Sequence, residues 1–340
     1  MRKIFYFLTA AFIAAGSSAA QKNVLLQDWD TPFETPPFNE VKEDDFMPAF
    51  LKAMEIEKSE IDKIANNKAE PTFKNTIEAM EKSGKLLSKV SGVFGCLNSA
   101  NTNEKLQKIA RELAPLRAKH SDDISLNEKL FERIKKIYAE KDSLGLTPEQ
   151  KIVLQNYYLG FVRSGADLND KDKAKLRKIN QELSELYVQF KQNHLQQTNA
   201  AGLVIEKKED LAGLPQDVIN AAAETAKAKG MEGKWAFTLQ RSSFTPFLVN
   251  SEKRHLREKL FKAYINRGNN GGEYDNNQII SRIAALRINR ANLLGYETHA
   301  EFKLERNMAE NPKNVYDFLN KLWKDRKSTR LNSSHRYVSR

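Results

Sequence analysis

Apolar residues recur at intervals of three and four along most of the chain, the spacing of one face of an α-helix. Residues 279–326 give the clearest example, because three helices can be read there with their start and stop signals. Gly295 follows the first helix, and Thr298 and Glu301 have capping-box spacing at the start of the second. Asn311, directly before a proline, marks the start of the third. The third helix carries a continuous apolar face of Val315, Phe318, Leu319, Leu322 and Trp323.

Further helical stripes occupy the middle of the chain. Asn127 and Thr147 each stand where a side chain can cap a following helix, and Pro115 is expected to kink or end the helix that contains it. A long stripe follows, formed by Leu176, Ile179, Leu183, Leu186, Tyr187 and Phe190. Aromatic residues in such a stripe indicate core packing rather than a ligand site.

Two short segments have the pattern of strands. Residues 203–205 are Leu-Val-Ile after a glycine, and residues 235–240 alternate between large apolar and smaller or polar side chains. Ala221–Ala228, between them, favours a helix. The pattern as a whole predicts an all-α fold, mainly helical, with a minor antiparallel β-ribbon.

The two ends differ from the body of the chain. Residues 1–20 have a charged start, an apolar middle and small residues before Gln21, which is typical of a cleaved signal peptide and predicts export to the periplasm. That apolar run is too short for a stable membrane anchor. Residues 21–40 are proline-rich and predict an extended arm over the helical body. Residues 327–340 are polar with no helical period, so we expect no packed element there.

Composition excludes several classes of function. The formal net charge is +11, from 55 Lys and Arg against 44 Asp and Glu, and the charges are interspersed as on a solvated helical surface. No basic run carries stacking aromatic residues, so we predict no nucleic-acid partner. Cys96 is the only cysteine, which allows no disulfide within the chain, and its apolar neighbours indicate core filling rather than a nucleophile.

We find no catalytic constellation in the sequence. Two histidines one helical turn apart would be needed for a helical zinc site, and none of the histidines form such a pair. Asp122 and Asp123 are adjacent, so on a helix their carboxylates point apart and do not predict an acid–base pair. We therefore predict no catalytic residue and no metal ligand in this chain. The histidines, each interpreted as a surface or loop residue, are His120, His194, His255, His299 and His335.

Several ordered motifs resemble the thimet-oligopeptidase-like (M3) family of zinc metallopeptidases, and within it the bacterial peptidyl-dipeptidase branch. The motifs that carry the resemblance are Leu293-Leu294-Gly295-Tyr296, Asn307-Met308-Ala309-Glu310, Pro71-Thr72-Phe73-Lys74-Asn75-Thr76, Ser99-Ala100-Asn101-Thr102, His120-Ser121-Asp122 and Trp235 to Gln240 followed by Pro246-Phe247. The resemblance covers residues 38–326. It implies the N-terminal portion of a neurolysin-like zincin fold, with an N-terminal helical domain at 41–200 and the start of a truncated catalytic region at 201–326.

The same resemblance implies an activity. The full-length family member would hold Zn²⁺ and release C-terminal dipeptides from short unfolded peptides by attack of a zinc-activated water. The segment with the zinc motif is missing here, so this fragment is expected to bind no zinc and to be inactive. Residues 327–340 depart from the family and are expected to be non-native. We expect a monomer when the protein is complete. The alternative is a non-catalytic helical binding or scaffold protein of the periplasm.

Overall fold

The computed structural model describes residues 23–337, so the predicted signal peptide at 1–20 lies outside the described residues. Helices dominate the described chain, as the periodicity predicts. Short 3₁₀ turns and a π-helical turn at Phe73–Ile77 lie between some of them. The elements are α1 Glu43–Ala65, α2 Glu78–Lys82, α3 Lys85–Ala100, α4 Glu104–Ser125, α5 Glu128–Ala139, α6 Pro148–Arg163, α7 Asp170–Asn199, β1 Ala201–Ile205, α8 Gln216–Ala228, β2 Trp235–Thr238, α9 Arg241–Asn250, α10 Arg254–Ile265, α11 Asn277–Leu293, α12 His299–Leu304 and α13 Pro312–Tyr337.

The helices bury their apolar stripes in neighbouring cores. One core joins α1, α3 and α4, and a second joins the end of α1 with α2, α5 and α6. A third core packs the ribbon against α8, α9 and α10. A fourth lies between α7 and α11, where Leu183 meets Ile279, Ile283 and Leu286. This core joins α7, which precedes the predicted domain boundary at residue 200, to α11, which follows it. The boundary itself stays a prediction.

The predicted ribbon is present among the described residues as one antiparallel pair, β1 and β2. Leu203 pairs with Phe237 and Ile205 with Trp235, and a register shift lies between Ala201 and Leu203. Phe237 is fully buried and lies 4.6 Å, centroid to centroid, from the ring of Phe247 on α9. The mainly helical fold class with a minor ribbon is therefore confirmed.

Helix ends follow the sequence signals closely. Capping boxes form at Thr147 with Gln150 and at Thr298 with Glu301. The Asn127 side chain accepts from the Leu130 amide at 3.0 Å. Of the two expectations for Pro115, an end of the helix is wrong, because α4 continues to Ser125, and a kink stays a prediction. Packing along α7 holds α4 together on both sides of the proline, and tertiary contacts of this kind override a local break.

The chain after Arg326 continues as helix, and the expectation that no packed element lies there stays a prediction. The backbone of α13 stays helical to Tyr337, although the sequence there has no apolar period. No glycine or proline interrupts residues 313–337, so nothing in the local chemistry stops the helix once it has begun.

The arm before α1 packs on the first core. Leu25 is fully buried among α1 and α3 residues. The indole of Trp29 donates to the Val24 carbonyl at 2.9 Å, and Lys89 Nζ lies 3.9 Å from the Trp29 ring centroid. Two 3₁₀ turns, Val24–Leu26 and Pro32–Glu34, interrupt the extended backbone. Within residues 23–337, no helix combines the length and apolar character that a membrane span requires.

Candidate functional site

A cavity of about 320 Å³ lies where α4, α6, α7, α11 and α12 meet. We call it the Arg290 pocket. Its polar lining includes Asp122, Asn180, Arg163 and Arg290. Its apolar lining includes Leu176, Leu183, Leu294 and Phe302. Charged groups of both signs therefore face one small, partly apolar space.

The turn after α6 shapes one wall of this pocket. Gly165 has φ +89°, a conformation that side chains with a Cβ rarely adopt. A Cβ added there would lie 2.6 Å from Leu176 Cδ2 and 2.9 Å from Leu168 Cδ1. The close approach that glycine permits brings the end of α6 against the start of α7.

Asp122 supplies the acidic group of the pocket. Asp122 is 6% exposed, and its Oδ1 accepts a hydrogen bond from Asn180 Nδ2 at 2.8 Å. Burial raises the pKa of the Asp122 carboxyl, while the Asn180 hydrogen bond and the Arg177 charge act in the opposite direction. Asp123 instead forms ion pairs with Arg177 at 2.6 Å and with Lys119 at 2.7 Å. The adjacent carboxylates thus have separate roles, as expected of neighbours on a helix.

Arg290 supplies the basic group. Its Nε is buried, and no acceptor among the described residues lies within hydrogen-bond distance of it. The guanidinium carbon lies 5.6 Å from the Phe302 ring centroid. Burial lowers the pKa of Arg290. Burial also lowers the pKa of His299, and the positive charges of Arg287 and Arg290 add to that effect. This corner of the pocket is therefore rich in positive charge.

Arg163 ties α12 to the end of α6. Its Nη1 donates to the Tyr296 hydroxyl at 3.0 Å, its Nη2 donates to the Phe302 carbonyl, and it forms an ion pair with Glu305. The Tyr296 hydroxyl in turn donates to Glu305 at 2.7 Å. The charge of Arg163 is thus already matched. The Leu293–Tyr296 motif lies at this junction and helps to form the pocket.

A longer cleft of about 730 Å³ runs between α3, α4 and α7. Amide side chains line it together with apolar ones, including Asn98, Gln107, Leu113, Val188 and Gln192. The adjoining cavity of about 490 Å³ shares Gln107 and Gln192. Such a surface offers hydrogen bonds and apolar contact to an extended chain.

Cys96 lies on α3 beside this cleft, and it is exposed. The expectation of a core cysteine is therefore wrong. The apolar run at residues 93–97 wraps around a helix, so Val93 and Phe94 enter the core whereas Cys96 turns outward.

The histidines do not converge on one site. His120 Nε2 lies 2.7 Å from Glu57 Oε2, and both side chains are mostly buried. His194 and His255 are exposed on α7 and α10. His120 and His299 thus belong to partly buried helix positions, which corrects their interpretation as surface or loop residues. The side chain of His335 lies outside the described part.

The resemblance implies a zinc site, so we searched residues 23–337 for side chains that could bind a metal ion. No group of three or more His, Cys, Asp or Glu side chains in that range is arranged to hold a metal ion. The residues described here do not fit the zinc that the resemblance implies, so we derive no catalytic step through a metal.

Comparison with known proteins matches residues 247–333 to Peptidase family M3. Dipeptidyl carboxypeptidase of Salmonella typhimurium is 35% identical over 297 residues, which make up 87% of this chain and 44% of that relative. The chain is therefore similar to peptidase family M3, whose model matches residues 247–333. Oligopeptidase A of Escherichia coli is 30% identical over 298 residues, or 86% of this chain and 44% of that relative. The chain thus spans less than half the length of these relatives.

The family match bears on two segments of the sequence. It includes the Leu293–Tyr296 motif at the pocket and continues to residue 333, inside the segment expected to be non-native. The origin of residues 327–340 stays a prediction.

Sequence reasoning named Asp122, Leu183 and Leu294 as helix or motif positions, but it did not bring the pocket residues together as one site. A signal for two of them exists, because Arg290 continues the buried spacing of Ile279, Ile283 and Leu286, and Asn180 lies on the stripe between Leu176 and Leu183. A polar residue on an otherwise buried stripe points to a partner inside the fold. No linear pattern relates Asp122 to Arg290, because their helices meet only in three dimensions.

Proposed function

We propose that this chain forms one wall of an exported M3 zinc metallopeptidase that releases C-terminal dipeptides from short unfolded peptides. In this proposal the zinc ligands and the catalytic base belong to polypeptide outside the chain, and residues 1–340 alone do not cleave peptides. The identity with dipeptidyl carboxypeptidase and the signal-peptide pattern at residues 1–20 support it.

The observation that carries the proposal is the apolar surface of α13. Phe318 is 61% exposed and Leu322 is 46% exposed, and Tyr316 and Leu319 are exposed on the same helix. The helix makes its main described contact with the short α12. Large exposed apolar side chains grouped on one helix are typical of a surface that other polypeptide covers. The chain matches 44% of the Salmonella relative, which leaves 56% of that relative unmatched. We propose that polypeptide corresponding to this unmatched part covers the apolar surface of α13.

The α3–α4–α7 cleft has the character of a peptide-contacting wall. Amides along it can bond to the backbone of an extended peptide, and the apolar residues between them can accept varied side chains. A wall of this kind suits short unfolded peptides, since a folded domain does not present an extended backbone to a cleft. These features support the substrate class but not a particular peptide sequence.

A chimera tests the proposal. Residues 21–326 would replace the matched 297 residues of the Salmonella relative, leaving the rest of that relative in place. We expect zinc-dependent release of C-terminal dipeptides from a blocked oligopeptide, while residues 21–340 alone release none. Zinc content measured in the same samples would show that metal accompanies the relative's segment. A folded chimera without activity, or zinc-dependent cleavage by residues 21–340 alone, would contradict the proposal.

A second candidate is a non-catalytic periplasmic binding or scaffold protein. The Arg290 pocket favours it, because charged groups of both signs and an apolar lining can hold a small ligand. Sedimentation of residues 21–340 separates the candidates. A cooperative monomer that binds no hydrophobic dye favours the binding protein, whereas self-association through α13 favours the severed enzyme.

A further inference from the structure

We propose that the Arg290 pocket binds a small zwitterionic peptide of dipeptide size, with Arg290 holding its carboxylate and Asp122 its ammonium group. This inference goes beyond the proposed function, because it concerns a second site, which adjoins the α3–α4–α7 cleft at Ala118 and Ser184, and involves no hydrolysis. It uses only side chains within the described chain.

The first argument is the unmatched hydrogen-bond donor of Arg290. Its Nε is buried without an acceptor among the described residues. A buried donor on a charged group costs free energy until an acceptor reaches it. A carboxylate is the acceptor that matches the geometry of a guanidinium, since its two oxygens can take two parallel N–H bonds. Because Nε has almost no accessible surface, the Arg290 side chain has to shift for a carboxylate to reach this donor, and the new contact would then remove the penalty.

The second argument is the balance of charges around the pocket. Arg163 is paired with Glu305, and Arg177 is paired with Asp123. The Arg287 Nε donates to the Tyr187 hydroxyl at 2.9 Å. Arg290 and Asp122 are thus the two charged lining residues that form no ion pair within residues 23–337, although the charge of each acts at longer range on the pKa of the other.

This arrangement selects against simple ions. A bare anion would be repelled by Asp122 and would leave the apolar wall uncovered. A metal cation would be repelled by Arg290. A molecule that carries both charges can satisfy both walls at once, and an amino acid or short peptide is such a molecule. The Asn180 amide, which already donates to Asp122, holds that carboxylate in place for an incoming ammonium group.

The third argument is size. About 320 Å³ lies at the lower end of the roughly 300–1,000 Å³ range of small-molecule pockets. Leu176, Leu183, Leu294 and Phe302 provide an apolar surface for side chains between the charged ends. A dipeptide with small side chains has charged ends separated by a short backbone, and it matches both the volume and the lining.

The test is a titration of the signal-peptide-free chain, residues 21–340, with the dipeptide alanyl-alanine. Isothermal calorimetry would compare it with its C-terminal amide and its N-acetyl derivative at equal ionic strength. We expect saturable binding of the free dipeptide that weakens by at least about tenfold for the amide, since a charge-assisted contact is lost. We expect a similar loss for the N-acetyl form. Equal binding of the three compounds, or no saturable binding, would overturn the proposal.

Variants locate the site. Arg290→Gln should weaken binding by about tenfold or more. The matched control is Arg282→Gln on the same helix, because Arg282 is exposed and pairs with Glu182 at 2.5 Å outside the pocket. The control should bind like the unmodified chain. If both variants bind equally well, Arg290 is not the carboxylate partner.

A measurement on the unmodified chain tests the site even if the Arg290→Gln variant does not fold. In ¹⁵N-labelled protein, the Nε–H signal of Arg290 should shift on addition of alanyl-alanine and stay in place on addition of the amide. Assignment of the signal comes from its loss in Arg290→Gln. If the Nε–H signal of Arg290 does not shift at a saturating concentration of alanyl-alanine, the proposed site is refuted, even if the dipeptide binds elsewhere on the chain.

Discussion

Replacement of Arg133 by Met should loosen the connection between α1 and α2. Arg133 lies on α5 and is 7% exposed. Its guanidinium donates to the Asn67 carbonyl at 2.7 Å, to Asn75 Oδ1 at 2.9 Å and to Thr76 Oγ1 at 3.3 Å. A second bond from Nη1 reaches the Ala69 carbonyl at 3.1 Å. One side chain thus holds most of the connecting segment.

The cost can be worked out acceptor by acceptor. Asn67 and Ala69 are exposed, so water replaces the lost bonds at their carbonyls. Thr76 is fully buried, and its hydroxyl loses the bond that it accepts from Arg133 but keeps the bond that it donates to Asn75 Oδ1 at 2.9 Å, so this loss costs about 1–2 kcal/mol. The lost charge-assisted bond to Asn75 adds about 1 kcal/mol. We therefore expect Arg133→Met to lower the free energy of unfolding by about 2–3 kcal/mol.

Urea unfolding followed by circular dichroism measures the loss, and hydrogen exchange of residues 67–77 locates it. Lys129→Met is the control on the same helix, since Lys129 is exposed and its bond to Asn66 Oδ1 at 2.8 Å is open to solvent. The control should change stability by no more than about 0.5 kcal/mol. Equal stability of the two variants, with unchanged exchange at 67–77, would refute the role assigned to the Arg133 hydrogen bonds.

Three further predictions follow from described contacts. Because the pKa of His299 is lowered in the folded chain, the unfolded chain binds more protons, and the stability of the fold decreases as the pH drops below the ordinary pKa of 6.5. His299→Gln should reduce the decrease in melting temperature between about pH 7.5 and 5.5. His255→Gln, at an exposed position, should leave that decrease unchanged. Gly165→Ala should lower the free energy of unfolding in urea by about 2–3 kcal/mol, because the added Cβ strains the backbone and overlaps with Leu176. Gly145 also has a positive φ but lies in open space, so Gly145→Ala should lower it by about 1 kcal/mol. An equal decrease for the two variants would argue against the overlap. Phe318→Lys should reduce self-association of residues 21–340 in sedimentation, and an unchanged oligomer distribution would show that α13 is not the contact.

Local chemistry made much of the fold readable from the sequence. Helix starts at Thr147 and Thr298 were predictable, because each cap depends on residues only three positions apart. The ribbon was predictable for the same reason, since alternation at 235–240 is a local pattern. The continuation of α4 past Pro115 was not, because it depends on packing with α7. The helix beyond Arg326 was not predicted because its apolar period ends there, although the absence of glycine and proline in residues 313–337 is a local signal that favours it.

The pocket was harder to predict than the elements around it. Its opposed charges, Asp122 and Arg290, come from helices that meet through the packing of α4, α7 and α11. Periodicity can show that Arg290 is on a buried stripe, but it cannot show which group faces it. That information lies in the angles at which helices cross, which side-chain spacing alone does not determine.

The length of α7 has a consequence for how events at separate places are related. At 30 residues it extends roughly 45 Å. From Leu176 to Tyr187 it lines the Arg290 pocket, and near its end the Thr198 carbonyl accepts from the Leu239 amide beside the ribbon at 3.1 Å. Because one continuous helix joins them, the length of α7 sets the distance between the pocket and the ribbon.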